Sequence, residues 1–117
     1  MITYRHKLDV VPASEHPELW LSQNDENYQM IFDLYARTGD FTIEAGTTAA
    51  IHGTKPDGSS YSAPASLSGK TVTVEGDAEM TSAKGRGVFE ICLTHGGREL
   101  HTNNIIINFE RAALENT

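Results

Sequence analysis

Five histidines and one cysteine are the residues of this 117-residue chain with the clearest capacity for metal binding or nucleophilic chemistry. His95 and His101 flank a predicted hairpin turn, so their imidazoles could approach each other. A zinc site needs three or four ligands, and the sequence contains neither a Cys-x-x-Cys nor a His-x-x-x-His spacing. We therefore expect no metal site and no cofactor, and interpret both histidines as polar residues beside a turn.

Cys92 precedes His95 by three residues, which raises the possibility of a thiol nucleophile with a nearby base. Successive residues of a strand point to opposite faces, so this spacing separates the two side chains. A thiolate nucleophile also needs a third group that orients its base. We expect Cys92 to be a small, half-buried core residue. A hydrolase that uses Cys92 and His95 is a competing hypothesis, and it predicts activity that thiol alkylation abolishes.

The sixteen Asp and Glu residues form no recognisable catalytic pair. A glycosidase needs two carboxyl groups held about 5 to 10 Å apart across a cleft, which short loops seldom provide. The sequence has no Gly-x-Ser-x-Gly elbow and no glycine-rich phosphate loop, and Asp25-Glu26-Asn27 lacks the ligand spacing of a calcium loop. We therefore expect no catalytic residues and predict that the chain is not an enzyme.

Exposed aromatic residues would suggest a different function, the binding of carbohydrate. Trp20 lies between Leu19 and Leu21, so either the tryptophan or the leucines face the core. Its large apolar area favours a buried Trp20. Tyr61 follows a Pro-Asp-Gly turn and is expected to be exposed. A carbohydrate-binding module that recognises cell-wall glycans through Trp20 or Tyr61 is therefore the alternative to a purely structural role.

Alternating apolar and polar residues predict that these side chains are carried by short strands. Three runs alternate most clearly, and their apolar residues are Tyr28, Met30, Phe32 and Leu34, then Phe89, Ile91 and Leu93, then Ile105, Ile107 and Phe109. Shorter candidates are residues 7–11, 19–22, 47–54, 60–66 and 71–75. The His52-Gly53 pair lies within one of these strands, where glycine indicates a bulge or a close backbone contact rather than a site.

Turn residues connect these strands into hairpins. Lys55-Pro56-Asp57-Gly58 joins two of them, and His95-Gly96-Gly97-Arg98 joins residues 89–94 to the final strand. The only helix expected covers residues 77–84, with Asp77 as N-cap and Gly85 as its C-terminal stop. The pattern predicts an all-β, immunoglobulin-like antiparallel β-sandwich of about seven or eight strands with this one short helix.

The two ends of the chain are the expected points of assembly. A polar connection over residues 12–18, which contains two prolines, leaves the first strand, residues 4–11, free to pair with a neighbour, with Arg5 and Lys7 solvated. We expect residues 1–111 to form one domain and residues 112–117, rich in helix formers, to begin a connecting helix or linker. The predicted assembly interface consists of Tyr4, Lys7, Leu8, Val10, Ala112, Ala113 and Leu114.

Composition excludes several classes of partner. Nine Lys and Arg against sixteen Asp and Glu give a net charge of −7, and no basic run is present, so we expect no nucleic-acid partner. The longest aliphatic run is Ile105-Ile106-Ile107, which cannot cross a membrane, and no secretory signal peptide is visible. The single cysteine cannot form an internal disulfide, as suits a reducing compartment.

Five stretches occur in an order that matches a known pattern. They are Leu19-Trp20-Leu21-Ser22-Gln23-Asn24-Asp25, Tyr28-Gln29-Met30-Ile31-Phe32-Asp33-Leu34-Tyr35, Gly53-Thr54-Lys55-Pro56-Asp57-Gly58, Phe89-Glu90-Ile91-Cys92-Leu93 and Gly97-Arg98-Glu99-Leu100-His101-Thr102-Asn103-Asn104-Ile105. Together they resemble the N-terminal domain of phage baseplate upper proteins. The resemblance extends from about Ile2 to Leu114, nearly the whole chain.

This resemblance implies a non-enzymatic structural module of a phage or prophage tail or baseplate, which docks a receptor-binding assembly to the virion. The family supplies no catalytic residues. The implied partners are other phage structural proteins and further copies of the chain, with a trimer favoured. The implied location is the virion, after synthesis in the bacterial cytoplasm without a signal peptide.

Overall fold

The computed structural model describes residues 1–113, which form nine strands. Their bounds are β1 Ile2–Asp9, β2 Glu18–Ser22, β3 Tyr28–Tyr35, β4 Thr48–Thr54, β5 Ser60–Ser68, β6 Thr71–Glu75, β7 Gly85–His95, β8 Arg98–His101 and β9 Ile105–Glu110. The predicted all-β class is confirmed. Among these residues, no helix has the length and apolar character needed to span a membrane.

A single hydrogen-bonded path connects the strands in the order β1-β3-β6-β5-β4-β7-β9-β2, with β8 paired to β7 beside it. The long strand β5 makes this continuity possible. Its first part, Ser60 to Ala65, pairs with β4, and its last part, Ser66 to Ser68, pairs with β6. The predicted immunoglobulin-like sandwich of two separate sheets is therefore not confirmed. The chain instead forms one curled sheet whose two ends nearly meet.

The sheet ends in two parallel pairs, where an antiparallel arrangement was expected. β1 runs parallel to β3 over its whole length, and β2 runs parallel to β9. A parallel pair needs a crossover connection rather than a hairpin. Turn residues predict hairpins, but they do not indicate crossover connections. The alternation of apolar residues does not indicate parallel pairing either, because it is the same in parallel and antiparallel strands.

The predicted apolar faces of β3, β7 and β9 are confirmed, because all ten of their inward residues are buried. Phe89 lies among them and packs edge-on against Tyr61 and Phe109, with ring centroids 6.3 and 6.1 Å away. Gly53 lies against the same ring, and a Cβ atom there would lie 2.3 Å from Phe89 Cδ2. The interpretation of Gly53 as a close contact is therefore confirmed.

The predicted helix at residues 77–84 is wrong, since the segment forms turns and bends. Asp77 still acts as a cap, because the Glu79 amide donates to Asp77 Oδ1 at 3.0 Å. Beyond that point tertiary anchors hold the chain: the side chain of Met80 is buried, and Thr81 Oγ1 donates to the Asp25 carbonyl at 2.6 Å. So short a segment gains too few helical hydrogen bonds to offset the cost of helix nucleation.

Both predicted turns form hairpins, although the second leads to a different strand. Residues 55–58 join β4 to β5, and buried Lys55 donates to Glu79 Oε1 at 3.1 Å and to Ser82 Oγ at 2.6 Å. The turn at residues 95–98 joins β7 to the short strand β8. The final strand β9 instead pairs with Gly85 to Phe89, the first part of β7.

The curled sheet is closed by side chains at the junction of β1 and β2. No backbone ladder between these two strands is present among the described pairings. Tyr4 Oη on β1 donates to the Trp20 carbonyl on β2 at 3.1 Å. The connection from β1 to β2, residues 10–17, runs past the residues that precede β9, and Asn103 joins the two segments.

Asn103 is 3% exposed and bonds to this connection through both its backbone and its side chain. Its amide donates to the Asp9 carbonyl at 2.9 Å. Its Oδ1 accepts from the Ala13 amide at 3.1 Å and from the Asn104 amide at 2.9 Å. Its Nδ2 donates to the Glu15 carbonyl at 2.7 Å. One amide side chain therefore bonds to three backbone groups, the amides of Ala13 and Asn104 and the carbonyl of Glu15.

Asp9 adds a second buried polar contact at the same junction. Arg37 Nη1 lies 3.0 Å from Asp9 Oδ2, and the Val11 amide donates to Asp9 Oδ1 at 2.9 Å. Burial alone would raise the pKa of this carboxyl. The hydrogen bonds from Val11 and Arg37 outweigh that effect and hold the pKa of Asp9 below its ordinary value.

Replacing Asn103 tests the first of these contacts. We expect Asn103→Ala to lower the free energy of unfolding by at least about 2 kcal/mol, because it removes three part-buried hydrogen bonds to the backbone of Ala13, Glu15 and Asn104. Asn104→Ala is the matched control, since the Asn104 side chain is exposed, and should change stability by less than about 0.5 kcal/mol. Urea denaturation measures both. Equal effects of the two substitutions would contradict the role of Asn103.

The acid stability of the fold tests the second contact. The folded-state pKa of Asp9 is lowered from the ordinary 3.8, so its carboxylate stabilises the fold above that pH, and this contribution is lost as the pH falls through the folded-state pKa. We expect Asp9→Asn to be less stable than wild type at pH 7 and to lose less further stability between pH 5 and 2. The exposed Asp40→Asn should keep the wild-type pH profile. Parallel profiles for wild type and Asp9→Asn would contradict this account.

Candidate functional site

The residues in β1 and just after it that the sequence assigned to an assembly interface lie in different environments. Leu8 and Val10 are 0% and 4% exposed and pack in the core, because β1 pairs with β3 within the chain. Neither side chain lies on the surface of this chain, and the interface itself stays a prediction. Lys7 is exposed and Tyr4 is half-buried. At the other end Ala112 and Ala113 are described, whereas Leu114 and most of the expected helix over residues 112–117 lie outside the described residues.

The outer face of β1 carries an ion pair. Arg5 Nε and Nη2 donate to the two carboxylate oxygens of Asp33 at 2.8 and 2.9 Å. The Arg5 side chain is exposed, as expected, but this two-point contact with β3 occupies its guanidinium group. The hydrogen bond from Arg5 holds the pKa of Asp33 below its ordinary value. Arg5 therefore reinforces the β1–β3 pair, and Lys7 is the more accessible cation on this face.

The burial of the two candidate aromatic residues is the reverse of what the sequence predicts: Trp20 is exposed and Tyr61 is buried. Trp20 is 55% exposed, because Leu19 and Leu21 take the inward positions of β2. Tyr61 is 6% exposed, and its hydroxyl donates to Asp77. Burial of Tyr61, together with this hydrogen bond, raises the pKa of its phenol. The expectations of a buried Trp20 and an exposed Tyr61 are both wrong, and only Trp20 is available to a partner.

Trp20 belongs to a group of residues on the outer face of β2, β9 and β7, which we call the Trp20 face. Trp20 is paired with Asn108, which is paired in turn with Arg86 on β7. Two residues along β9, Ile106 is paired with Val88, whose side chain is 39% exposed. Because side chains alternate along a strand, all five residues lie on one face. The Trp20 face therefore combines two exposed apolar side chains, Trp20 and Val88, with polar neighbours, whereas Ile106 is buried.

The thiol–imidazole pair of the hydrolase hypothesis is not formed among the described residues. Cys92 is 2% exposed, its Sγ lies 3.9 Å from Thr94 Oγ1, and burial raises the pKa of the thiol. His95 contacts a different group, with its Nε2 2.9 Å from Glu44 Oε2. Its Nδ1 is buried and has no hydrogen-bond partner. The predicted separation of Cys92 and His95 on opposite faces accounts for this arrangement.

His95 lies in the wall of a cavity of about 410 Å³ between residues 41–47 and the β7–β8 hairpin. Its apolar lining comprises Phe41, Ile43, Leu93 and Leu100, and its polar lining includes Glu44, His95, Arg98 and Glu99. A mixed lining of this kind can receive an apolar side chain and a charged group together.

One group of side chains could hold a metal ion, which sequence reasoning did not anticipate. Potential ligand atoms of Cys92, Glu99 and His101 all lie within 4.8 Å of one another. In the sequence, His101 suggests a partner only in His95, because both residues lie beside the same turn. The signal that would have found this group is the alternation within the hairpin, which places Cys92 opposite His101.

Comparison with known proteins gives a relationship at the level of the fold. No protein-family model and no curated protein sequence matches the chain. Among solved structures, the chain is similar to the N-terminal domain of phage TP901-1 ORF48, with a TM-score of 0.67 and 13% sequence identity. The match covers 94% of this chain and 99% of the phage domain. The two chains therefore share a fold over almost their whole lengths.

Proposed function

We propose that this chain is a structural module of a phage or prophage tail or baseplate, and that it acts by protein–protein contact rather than by catalysis. The observation that carries the proposal is the fold likeness to an N-terminal phage domain over nearly the full length of both chains. The ordered motifs described above are independent support, since they resemble phage baseplate upper proteins.

Two of these motifs make contacts that hold the fold together. The Lys55 turn anchors residues 79–82 to a hairpin, and the segment that contains Asn103 joins the two ends of the sheet. Both motifs therefore support the fold, as is expected when a family shares an architecture rather than an active site. The Cys92–His95 pair, the one catalytic arrangement that the sequence suggested, is not formed among the described residues.

The Trp20 face is the surface that best fits a contact with another protein. Tryptophan is enriched among the residues that contribute most to the binding energy of protein interfaces. Here an exposed tryptophan lies on the same face as the exposed Val88, and Glu18 and Asn108 next to it form a hydrogen bond of 2.8 Å. In this proposal the partners are further copies of the chain, with a trimer favoured, and other phage structural proteins. The module would dock a receptor-binding assembly to the virion.

Exposure of Trp20 also supports a second candidate function, the recognition of cell-wall glycans. An aromatic ring on an exposed strand offers an apolar surface to a sugar ring. Burial of Tyr61 removes the other residue on which this alternative was based. The alternative therefore depends on Trp20 alone.

Light scattering after size-exclusion chromatography, over a concentration series, tests the proposal. We expect a defined oligomer that dissociates on dilution, and we expect Trp20→Ala to raise its dissociation constant by at least about tenfold, as for an interface residue that contributes strongly to binding. Tyr35→Ala is the matched control, since Tyr35 is also an exposed aromatic residue, and should leave assembly unchanged.

A strict monomer at every concentration would contradict self-assembly. A glycan array with wild type and Trp20→Ala then distinguishes the two functions. Selective sugar binding that Trp20→Ala abolishes would favour the carbohydrate-binding module.

A further inference from the structure

The β7–β8 hairpin brings four side chains with metal-binding capacity to one face. Cys92 is paired with His101 and Thr94 with Glu99 in the antiparallel register. Glu90 lies two residues before Cys92 on β7 and therefore shares its face. Directly opposed residues have Cβ atoms about 5 Å apart, which suits ligation of one ion by both strands. The hairpin register therefore produces this group.

Hydrogen bonding fixes the orientation of the imidazole within this group. His101 Nδ1 lies 2.7 Å from Glu90 Oε2, which makes Nδ1 the protonated nitrogen of the neutral ring. His101 Nε2 then carries the free lone pair, and it lies 3.5 Å from Glu99 Oε1. A carboxylate that accepts from one ring nitrogen while the other nitrogen faces further ligands is the usual arrangement behind a metal-bound histidine.

We propose that the β7–β8 hairpin binds a divalent transition-metal ion of the zinc class through Cys92 Sγ, Glu99 and His101 Nε2, with Glu90 orienting His101. The donor set selects the metal. A thiolate and an imidazole favour zinc over calcium or magnesium, which prefer oxygen ligands only. Three protein ligands leave a fourth tetrahedral position for water or for a group of a partner.

The three ligands differ in burial: Cys92 is shielded from solvent, whereas His101 and Glu99 are accessible to it. Cys92 is 2% exposed, so its thiolate would lie on the protein side of the ion. The side chains of His101 and Glu99 are 47% and 55% exposed and face solvent, which gives the ion a path of entry. An ion of this class carries two positive charges, which would be neutralised by the two charged ligands, the Cys92 thiolate and the Glu99 carboxylate.

A bound ion would stabilise the pairing of β8 with β7. All four residues of β8 are exposed, and β8 pairs only with β7 among the described strands. An ion held by Cys92 from β7 and by Glu99 and His101 from β8 would join the two strands by coordinate bonds. Binding to the folded state alone stabilises it by mass action.

Titration of the reduced, chelator-treated chain with zinc chloride tests the proposal by calorimetry, and cobalt chloride provides a spectroscopic probe. We expect one equivalent of either ion to bind, with a thiolate-to-cobalt charge-transfer absorption band. Cys92→Ser should abolish that band, and His101→Ala should weaken zinc binding by at least about 100-fold. Glu90→Gln should weaken it by about 10- to 100-fold, the usual effect of losing a partner of a metal-bound histidine.

His95→Ala is the matched control, because His95 also pairs with a glutamate, Glu44, but points away from the site. Its affinity for zinc should stay within about twofold of wild type. Glu99→Gln, at an exposed position, tests the site even if Cys92→Ser does not fold, and circular dichroism identifies folded variants. Zinc binding that His101→Ala leaves unchanged, or bound cobalt without the thiolate band, would overturn the proposal.

Discussion

The buried side chain of Asn103 is the contact on which the closure of this sheet depends. Nine strands follow one hydrogen-bonded path, and its two ends, β1 and β2, are joined by side chains and by the connection at residues 10–17. That connection lies at the surface after Val10, and its backbone hydrogen bonds to other backbone groups are at its two ends, at Val10 and Pro17. Asn103 accepts from Ala13, donates to Glu15 and bonds to Asp9 through its amide, so it replaces the missing ladder. Asp9, held by Arg37, reinforces the same point.

Closure at this point decides which side chains are available for function. Once Leu19 and Leu21 are drawn into the core, the alternation of β2 places Trp20 outside. The same principle applies to β7, where Phe89 and Ile91 face inward and Glu90 and Cys92 therefore lie on the outer face. The proposed contact face and the proposed metal site thus both follow from the alternation of inward and outward side chains along the strands. Both lie on strands that the closed sheet holds in place, as suits a module whose function is to present a surface.

Local sequence patterns predicted much of this fold but not its global arrangement. Phe32, Ile91 and Ile107 were assigned to the core correctly, because period-2 alternation has only one favourable interpretation when a strand is half-buried. Trp20 was assigned incorrectly because its side chain and the two leucines compete for the core, and two inward leucines outweigh one tryptophan. The segment after Asp77 has helical capping signals, yet buried Met80 and Thr81 hold it in turns. Asn103 lies in one of the motifs of the resemblance, but no local pattern predicts its contacts, since Ala13 and Glu15 lie about 90 residues away in sequence.

Native-state hydrogen exchange, followed by NMR, tests most directly whether the Asn103 network closes the sheet. The amides of Ala13, Asn103 and Asn104 donate within this network and lie outside every strand. If the network closes the sheet, these amides exchange as slowly as that of Ile91 in the core, because exchange then requires global unfolding. Exchange at the rate of an unfolded peptide of the same sequence would show that the junction opens freely, and would contradict the account.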